Sequence, residues 1–393
     1  MQEFMFHLPT KVYFGSRTIK KVGEEAKKLG KKALIVSGRN FARKTGILKK
    51  VEDLIKKAGV EVTLFEEVKP NPSLKIVEKG ADLSKRRGCN VIIGLGGGSA
   101  IDAAKGIAVL STNSGPLAHY LGRDKVKKLP LPIIAIPTTA GTGSEVTPYA
   151  TFINNEKRPP RKEMITDRLI LPTVALVDPQ LTLSLPLPLT ADSGVDALSQ
   201  AIESYISKRS QPLSEIFALK AVELLAQYLP QAMKNPKNLE FRSFCLYASL
   251  LGGIAIAHTG TVLVHGMSYR LTSEFGVTHG RAVGVLLPWV CEFNLSSNYS
   301  KFSFLAKALG DTTENLSEQE RAKKSIEKIR ELLLQVGIPQ DLRDKEIGEE
   351  KIEEFAKEVM KNRRKILANP RLATLSDLVG LYKKALWGSH QNY

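Results

Sequence analysis

The chain opens as an alternation of two hydrophobic periods. Residues 32–38, KALIVSG, form a continuous apolar run that stops at glycine and predicts a buried strand. In 45–59, TGILKKVEDLIKKAG, the apolar positions Ile47, Val51, Leu54 and Ile55 recur at helical spacing. The pair then repeats, with strands over 61–68 and 90–98, helices over 73–88 and 99–111, and a further strand over 131–139. Strands alternating with helices of this length predict βαβ units, hence a parallel sheet covered on both faces. Residues 173–190 carry a last strand and then a proline-spaced connection, and from Asp192 onward the period is helical nearly throughout. Stretches 194–207, 214–233, 323–337 and 352–363 are the clearest examples. The expectation is an α/β doubly wound domain over 1–185 followed by an all-α domain over 186–393. The residues joining them are too apolar for a floppy linker, so packed domains are expected.

Composition narrows the class without naming it. With 393 residues, 43% hydrophobic and 25% charged, the chain suits a soluble globular protein and not a disordered or collagen-like one. No run of eighteen or more uncharged apolar residues argues for a membrane span. The start, MQEFMFHLPTKVYFGS, lacks the pattern of a signal peptide, so a cytoplasmic location is expected. Three scattered cysteines, Cys89, Cys245 and Cys291, make neither a disulfide framework nor a zinc-ribbon spacing. The net charge of +17 is uneven: residues 1–190 hold 31 basic and 17 acidic side chains, whereas residues 191–393 hold 26 and 23. Such an excess suits nucleic-acid binding, a phosphate-bearing small molecule, or a lysine-rich surface of the kind found in thermophiles. No basic stripe interleaved with aromatics and no nucleic-acid motif supports the first of these.

Two stretches carry candidate chemistry. Gly94-Leu95-Gly96-Gly97-Gly98-Ser99 lies between a predicted strand and helix, where glycines let backbone N–H groups approach an anion and a helix N-terminus suits a pyrophosphate. It departs from the GxGxxG fingerprint at Ser99 and has no Walker lysine. A second polar loop, Pro137 to Glu145, follows the next strand, where open α/β sheets bind ligands. In the helical half Asp196 and Gln200 are one turn apart, and His265 and His279 follow. One carboxylate and two imidazoles suit Fe(II), and Zn(II) is also compatible; by spacing alone the two histidines are equally well structural.

The segments GLGGGSAIDAAKGIAV, PTTAGTGSEVTPYA, LTADSGVDALSQAIESYIS and LVHGMSYRLTSEFGVTHGRAVGVLLP are similar to those of the iron-containing (group III) alcohol dehydrogenases. The resemblance runs from about Phe14 to NPRLATLSDLVGLYKKAL, nearly the whole chain. It implies a Rossmann-like dinucleotide-binding domain followed by a helical metal- and substrate-binding domain. It further implies cofactor contacts from Asn71, Gly97, Gly98, Ser99, Asp102, Thr138, Thr139, Thr142, Gly143 and Lys162. Asp196, His265 and His279 match three metal ligands, which are also the catalytic positions. Gln200 departs from the pattern, standing where the family has a fourth ligand, a histidine. Its amide oxygen is a weaker donor than imidazole, and three ligands already suffice for a catalytic site with an open position. Tyr269 stands where many members have another histidine.

Cofactor choice is read at the end of the first predicted strand. Members that select NAD tend to place an aspartate there; this chain has Gly38 and Arg39, with Arg43 and Lys44 beyond. Gly38 leaves room for a 2′-phosphate and Arg39 is suited to bind it, so NADP(H) is expected over NAD(H). The resemblance thus implies hydride exchange between a primary alcohol or its aldehyde and NADP(H), assisted by a divalent metal, in a homodimer. No nucleic-acid or membrane partner is expected. A polyol dehydrogenase or a hydroxyacid–oxoacid transhydrogenase is the alternative within enzymes. A non-catalytic nucleic-acid-binding protein is the alternative outside them.

Overall fold

A computed structural model describes residues 3–38 and 41–388, with the side chains of Phe41 and Ala42 left aside. The chain divides into two compact units, His7–Leu185 and Pro186–Tyr393 with Met1–Phe6. In the first, the described residues form nine strands in two sheets: β1 Lys11–Phe14, β2 Lys32–Gly38, β3 Glu61–Val68, β4 Val91–Gly96, β5 Gly122–Arg123, β6 Ile133–Pro137, β7 Tyr149–Asn154, β8 Arg161–Thr166 and β9 Val174–Val177. The larger sheet is wholly parallel in the order β1-β9-β6-β4-β2-β3.

Its inner strands β2, β4, β6 and β9 are apolar on both sides because both faces are covered. From β2, Leu34 and Val36 enter one core and Ala33 and Ile35 the other; β4 splits in the same way, Ile92 against Val91, Ile93 and Leu95. The chain runs from β2 outward to β3, then crosses back to place β4 on β2's other side. The carboxyl ends of β2 and β4 therefore flank the point where winding reverses, the place where open α/β sheets take ligands. A smaller sheet, β5-β8-β7, pairs β7 with β8 antiparallel and was not foreseen. Its strand RKEMIT is too polar to read as a strand, and its burial is only partial.

In the second unit the described residues form helices and connections, without a strand. Leu187–Ile206 begins inside the segment expected to be a proline-spaced connection. Pro188 lies in its first turn, where a missing N–H leaves no hydrogen bond unmade. Leu239–Thr259 is long and apolar enough to cross a membrane by length and composition, and two-thirds of that stretch is buried, as in a core helix. Part of the lysine excess is a solvated, paired surface. Lys28–Glu24, Lys49–Asp53 and Lys56–Glu52 join across single helical turns, exposed contacts that water and salt screen.

Candidate cofactor and metal sites

In the first unit β4 ends at Gly96 and the helix Gly98–Thr112 begins at once, with no side chain capping its first turn. Its leading N–H groups are left for an anion to meet. The polar loop after β6 folds onto this turn. Thr138 N–H donates to the Gly96 carbonyl at 3.0 Å. A Cβ on Gly97 would lie 3.2 Å from the Thr139 side chain, and one on Gly98 would lie 2.6 Å from Thr142 Cγ2. Gly98 is thus what lets the two loops close on each other. Asn71, in the left-handed region at φ 53°, donates its N–H to Ser99 Oγ at 3.1 Å. Gly143, at φ 61°, turns the chain into the single 3-10 turn Ser144–Val146.

The remaining predicted positions fall differently. Gly38 ends β2, where a Cβ would meet the Val68 carbonyl oxygen closely, at 3.3 Å, and nothing else within 4 Å among the described residues. Arg39 lies outside the described residues. Arg43 is committed to Glu66, donating from Nε and a terminal nitrogen at 2.6 Å each. Asp102 is an anchor for the second loop: one carboxylate oxygen accepts from Ser144 Oγ at 2.6 Å and the other from Thr151 N–H at 2.9 Å. Lys162, on β8, stands near enough for its charge to be felt at the Asp102 carboxyl.

Beneath the loops lies a charged knot that spacing gave no reason to single out. Lys105 is fully buried; its ammonium donates to Ser144 Oγ at 3.0 Å and to the Thr147 and Tyr149 carbonyls at 2.8 and 2.7 Å. Burial pushes Lys105 down to about 8, against the opposing pull of the Asp102 and Glu145 carboxylates. Glu145, 2% exposed, is pushed up to about 7 by burial, and its Oε1 has no hydrogen-bond partner among the described residues. Lys105 and the half-buried Asp102 thus hold the loop from below, with the buried Glu145 carboxyl near them.

The second unit builds its site from side chains. Leu187–Ile206 carries Asp196, Gln200 and Glu203 at positions i, i+4 and i+7, one face of one helix. His265 lies in the first turn of Leu263–Phe275, and His279 opens His279–Asn294. The next residue, Gly280, allows that approach, because a Cβ there would lie 2.0 Å from the Asp192 carbonyl oxygen. The outcome is a cluster. Asp196 Oδ1 is 3.2 Å from His265 Nε2 and 3.7 Å from His279 Nε2, and one ligand atom from each residue lies within 4.8 Å of the others.

Glu203 completes the arrangement. One carboxylate oxygen meets His265 Nδ1, and the other accepts the N–H groups of Val262 and His265 at 2.8 and 3.3 Å. The far nitrogen of His265 is thereby turned towards Asp196, the usual device for orienting a ligating imidazole. Burial pushes the His265 imidazole down, but the Glu203 and Asp196 carboxylates outweigh it and leave the group above its ordinary value. Gln200 Oε1 is buried without a hydrogen-bond partner among the described residues. An orphaned amide oxygen beside a carboxylate and two imidazoles is a donor set that fits a divalent cation. Tyr269 keeps its ring 6.4 Å from that of His279.

Family models for the iron-containing alcohol dehydrogenases match residues 9–179, and for their C-terminal region residues 190–386. The chain belongs to the iron-containing alcohol dehydrogenase family. It is an oxidoreductase of the alcohol dehydrogenase class. Among this family's members it is 36% identical to the NAD-dependent methanol dehydrogenase of Bacillus methanolicus over 382 residues, 97% of this chain and 99% of that one. It is also 36% identical to the 1,3-propanediol dehydrogenase of Citrobacter freundii over 384 residues, 97% and 98% of the two chains. The crystal structure of a 1,3-propanediol oxidoreductase superposes with a TM-score of 0.94 at 36% identity, covering 98% of this chain and all of that one.

Proposed function

We propose that this dehydrogenase interconverts short primary alcohols and aldehydes with NADP(H), using a divalent cation held by Asp196, Gln200, His265 and His279, with Fe(II) foremost and Zn(II) also compatible. The observation that carries the proposal is the convergence of Asp196, His265 and His279 within 4.8 Å, with a buried amide oxygen left over on the same helix face. When bound, the cation supplies Lewis acidity that stabilises negative charge on the substrate oxygen, and the nicotinamide supplies or accepts the hydride. The protein does the rest. Glu203 holds the His265 ring in one orientation, and burial of Asp196 and His265 keeps bulk water from the donors. The leading N–H groups of Gly98–Thr112, with Ser99, Asn71, Thr138, Thr139, Thr142 and Gly143 around them, bind and align the dinucleotide's phosphates and sugar.

NADPH oxidation with a panel of short aldehydes tests the reading, with enzyme as isolated, after chelation, and after reloading with Fe(II) or Zn(II) without oxygen. Activity should vanish on chelation and return with metal. Turnover indifferent to the chelator would overturn the role given to the four residues.

The preference for NADP(H) rests on Gly38, which places no acid there to repel a 2′-phosphate. Arg43 adds little because Glu66 already occupies its guanidinium. The Bacillus methanolicus relative is named as NAD-dependent. Gly38→Asp should therefore swing the NAD(H)/NADP(H) ratio of kcat/KM by about 100-fold towards NAD(H). An unmoved ratio would remove the argument.

A further inference from the structure

The two imidazoles of the donor cluster are steered by different means. Glu203 reaches the ring of His265 directly. His279 is held through the chain on either side of it, and the residue that holds it is Asp192. Asp192 precedes Asp196 by one turn on Leu187–Ile206, on the same face of that helix, and is buried. Its main chain lies so close to Gly280 that a Cβ there would stand 2.0 Å from the Asp192 carbonyl oxygen and 2.4 Å from its Cα. Its carboxylate hydrogen-bonds the side chain of Thr278, and Arg281 Nε lies 3.4 Å from its Oδ1. Residues 278, 280 and 281 thus close around Asp192, and the residue they bracket is His279.

The contact has a reason on both helices. Thr278 gives His279–Asn294 no side-chain capping bond, so a carboxylate at that start answers the positive end of the helix dipole. The contact also joins the two helices where each carries a donor: Asp196 one turn further along the first, His279 at the start of the second, with Oδ1 and Nε2 3.7 Å apart. We infer that Asp192 is a positioning residue for the metal site: by clamping Thr278 and Arg281 it sets where His279 stands relative to Asp196, and so the affinity of the site for its cation. The inference rests on the donor assignment proposed above and adds to it a residue outside the donor set.

Zn(II) titration against a chromophoric chelator tests it without turnover. Asp192→Ala should weaken Zn(II) binding about 30-fold, while Asp192→Asn, which keeps an acceptor for Thr278, should lose only about threefold. The decisive arm is a double-mutant cycle. In a His279→Ala background no ring is left to place, so Asp192→Ala should cost less than about twofold more; in a His265→Ala background it should cost its full effect of about 30-fold. Should Asp192→Ala not fold, Thr278→Val and Arg281→Met each remove one partner of the carboxylate. Each should weaken binding about fivefold, and only where His279 is present. Unchanged affinity in Asp192→Ala, equal losses in Asp192→Asn and Asp192→Ala, or a loss that adds in full to that of His279→Ala would each overturn this inference and leave the proposed function standing. A parent that takes up no Zn(II), or one whose affinity survives His265→Ala, would overturn both.

Discussion

The first unit makes its candidate site mainly from main chain, whereas the second makes its own from side chains. In the first, Gly98 admits the Thr142 side chain and N–H groups do the facing, so what matters is the path of two loops. In the second, Asp196, His265 and His279 come from three helices, and the decisive glycine, Gly280, lets one helix start lie against the Asp192 carbonyl. Main-chain sites give way gradually, because several roughly equivalent donors share one anion. Side-chain clusters give way abruptly, since each donor fills a place that no other can take.

The sharpest way to break that contrast is His265→Ala. Turnover should fall roughly 1000-fold or more, with metal content falling alongside it. A fully active variant would sink the donor assignment. Gly280→Ala probes the same cluster without touching a donor: the added methyl must displace the helix start that carries His279. Metal affinity should weaken by about 100-fold while the dinucleotide binds as before, and unchanged affinity would mean that the helices accommodate the methyl freely.

On the other side of the comparison, Glu145 offers a readout in stability. Its carboxyl titrates near 7 in the fold against an ordinary 4.5, so its contribution is fully present below 4.5 and is lost as pH rises towards 7. Chemical denaturation across that window should lose about 3 kcal/mol in the parent and much less in Glu145→Gln. Parallel curves would show that the carboxyl finds a partner when ionised. The mildest effect is expected from Gly98→Ala, where Thr142 can move aside: the KM for cofactor should rise about tenfold with metal content intact. If metal content falls as well, the sites are not separable in the way their construction suggests.

Sequence reasoning reached the two units unequally. The strand 32–38 was legible to the residue because a strand buried on both faces is nearly all apolar, whereas 61–68, at the sheet edge, was read from Val62, Leu64, Phe65 and Val68 among its acids. The β7–β8 pair was not, since a sheet with one wet face admits residues such as Arg161, Lys162 and Glu163. The glycine loop was legible because all of its parts are consecutive. The donor cluster was not legible from spacing, because Asp196 and His265 are 69 residues apart and only packing joins them. Glu203 was nonetheless within reach: at i+7 from Asp196 it had to share that helical face, and a buried carboxylate there needs a partner. Lys105 carried no local signal, since its partners lie about 40 residues further along the chain.

Glu203 also ties the fold to its chemistry. The same carboxylate that steadies His265 accepts the N–H groups of Val262 and His265 where Leu263–Phe275 begins, a helix start that no side chain of its own caps. A substitution that loosened the imidazole would fray the helix in the same stroke, and no neighbouring change restores one without the other. A change at residue 200 touches a donor alone, whereas a change at residue 203 acts on an imidazole and a helix start together.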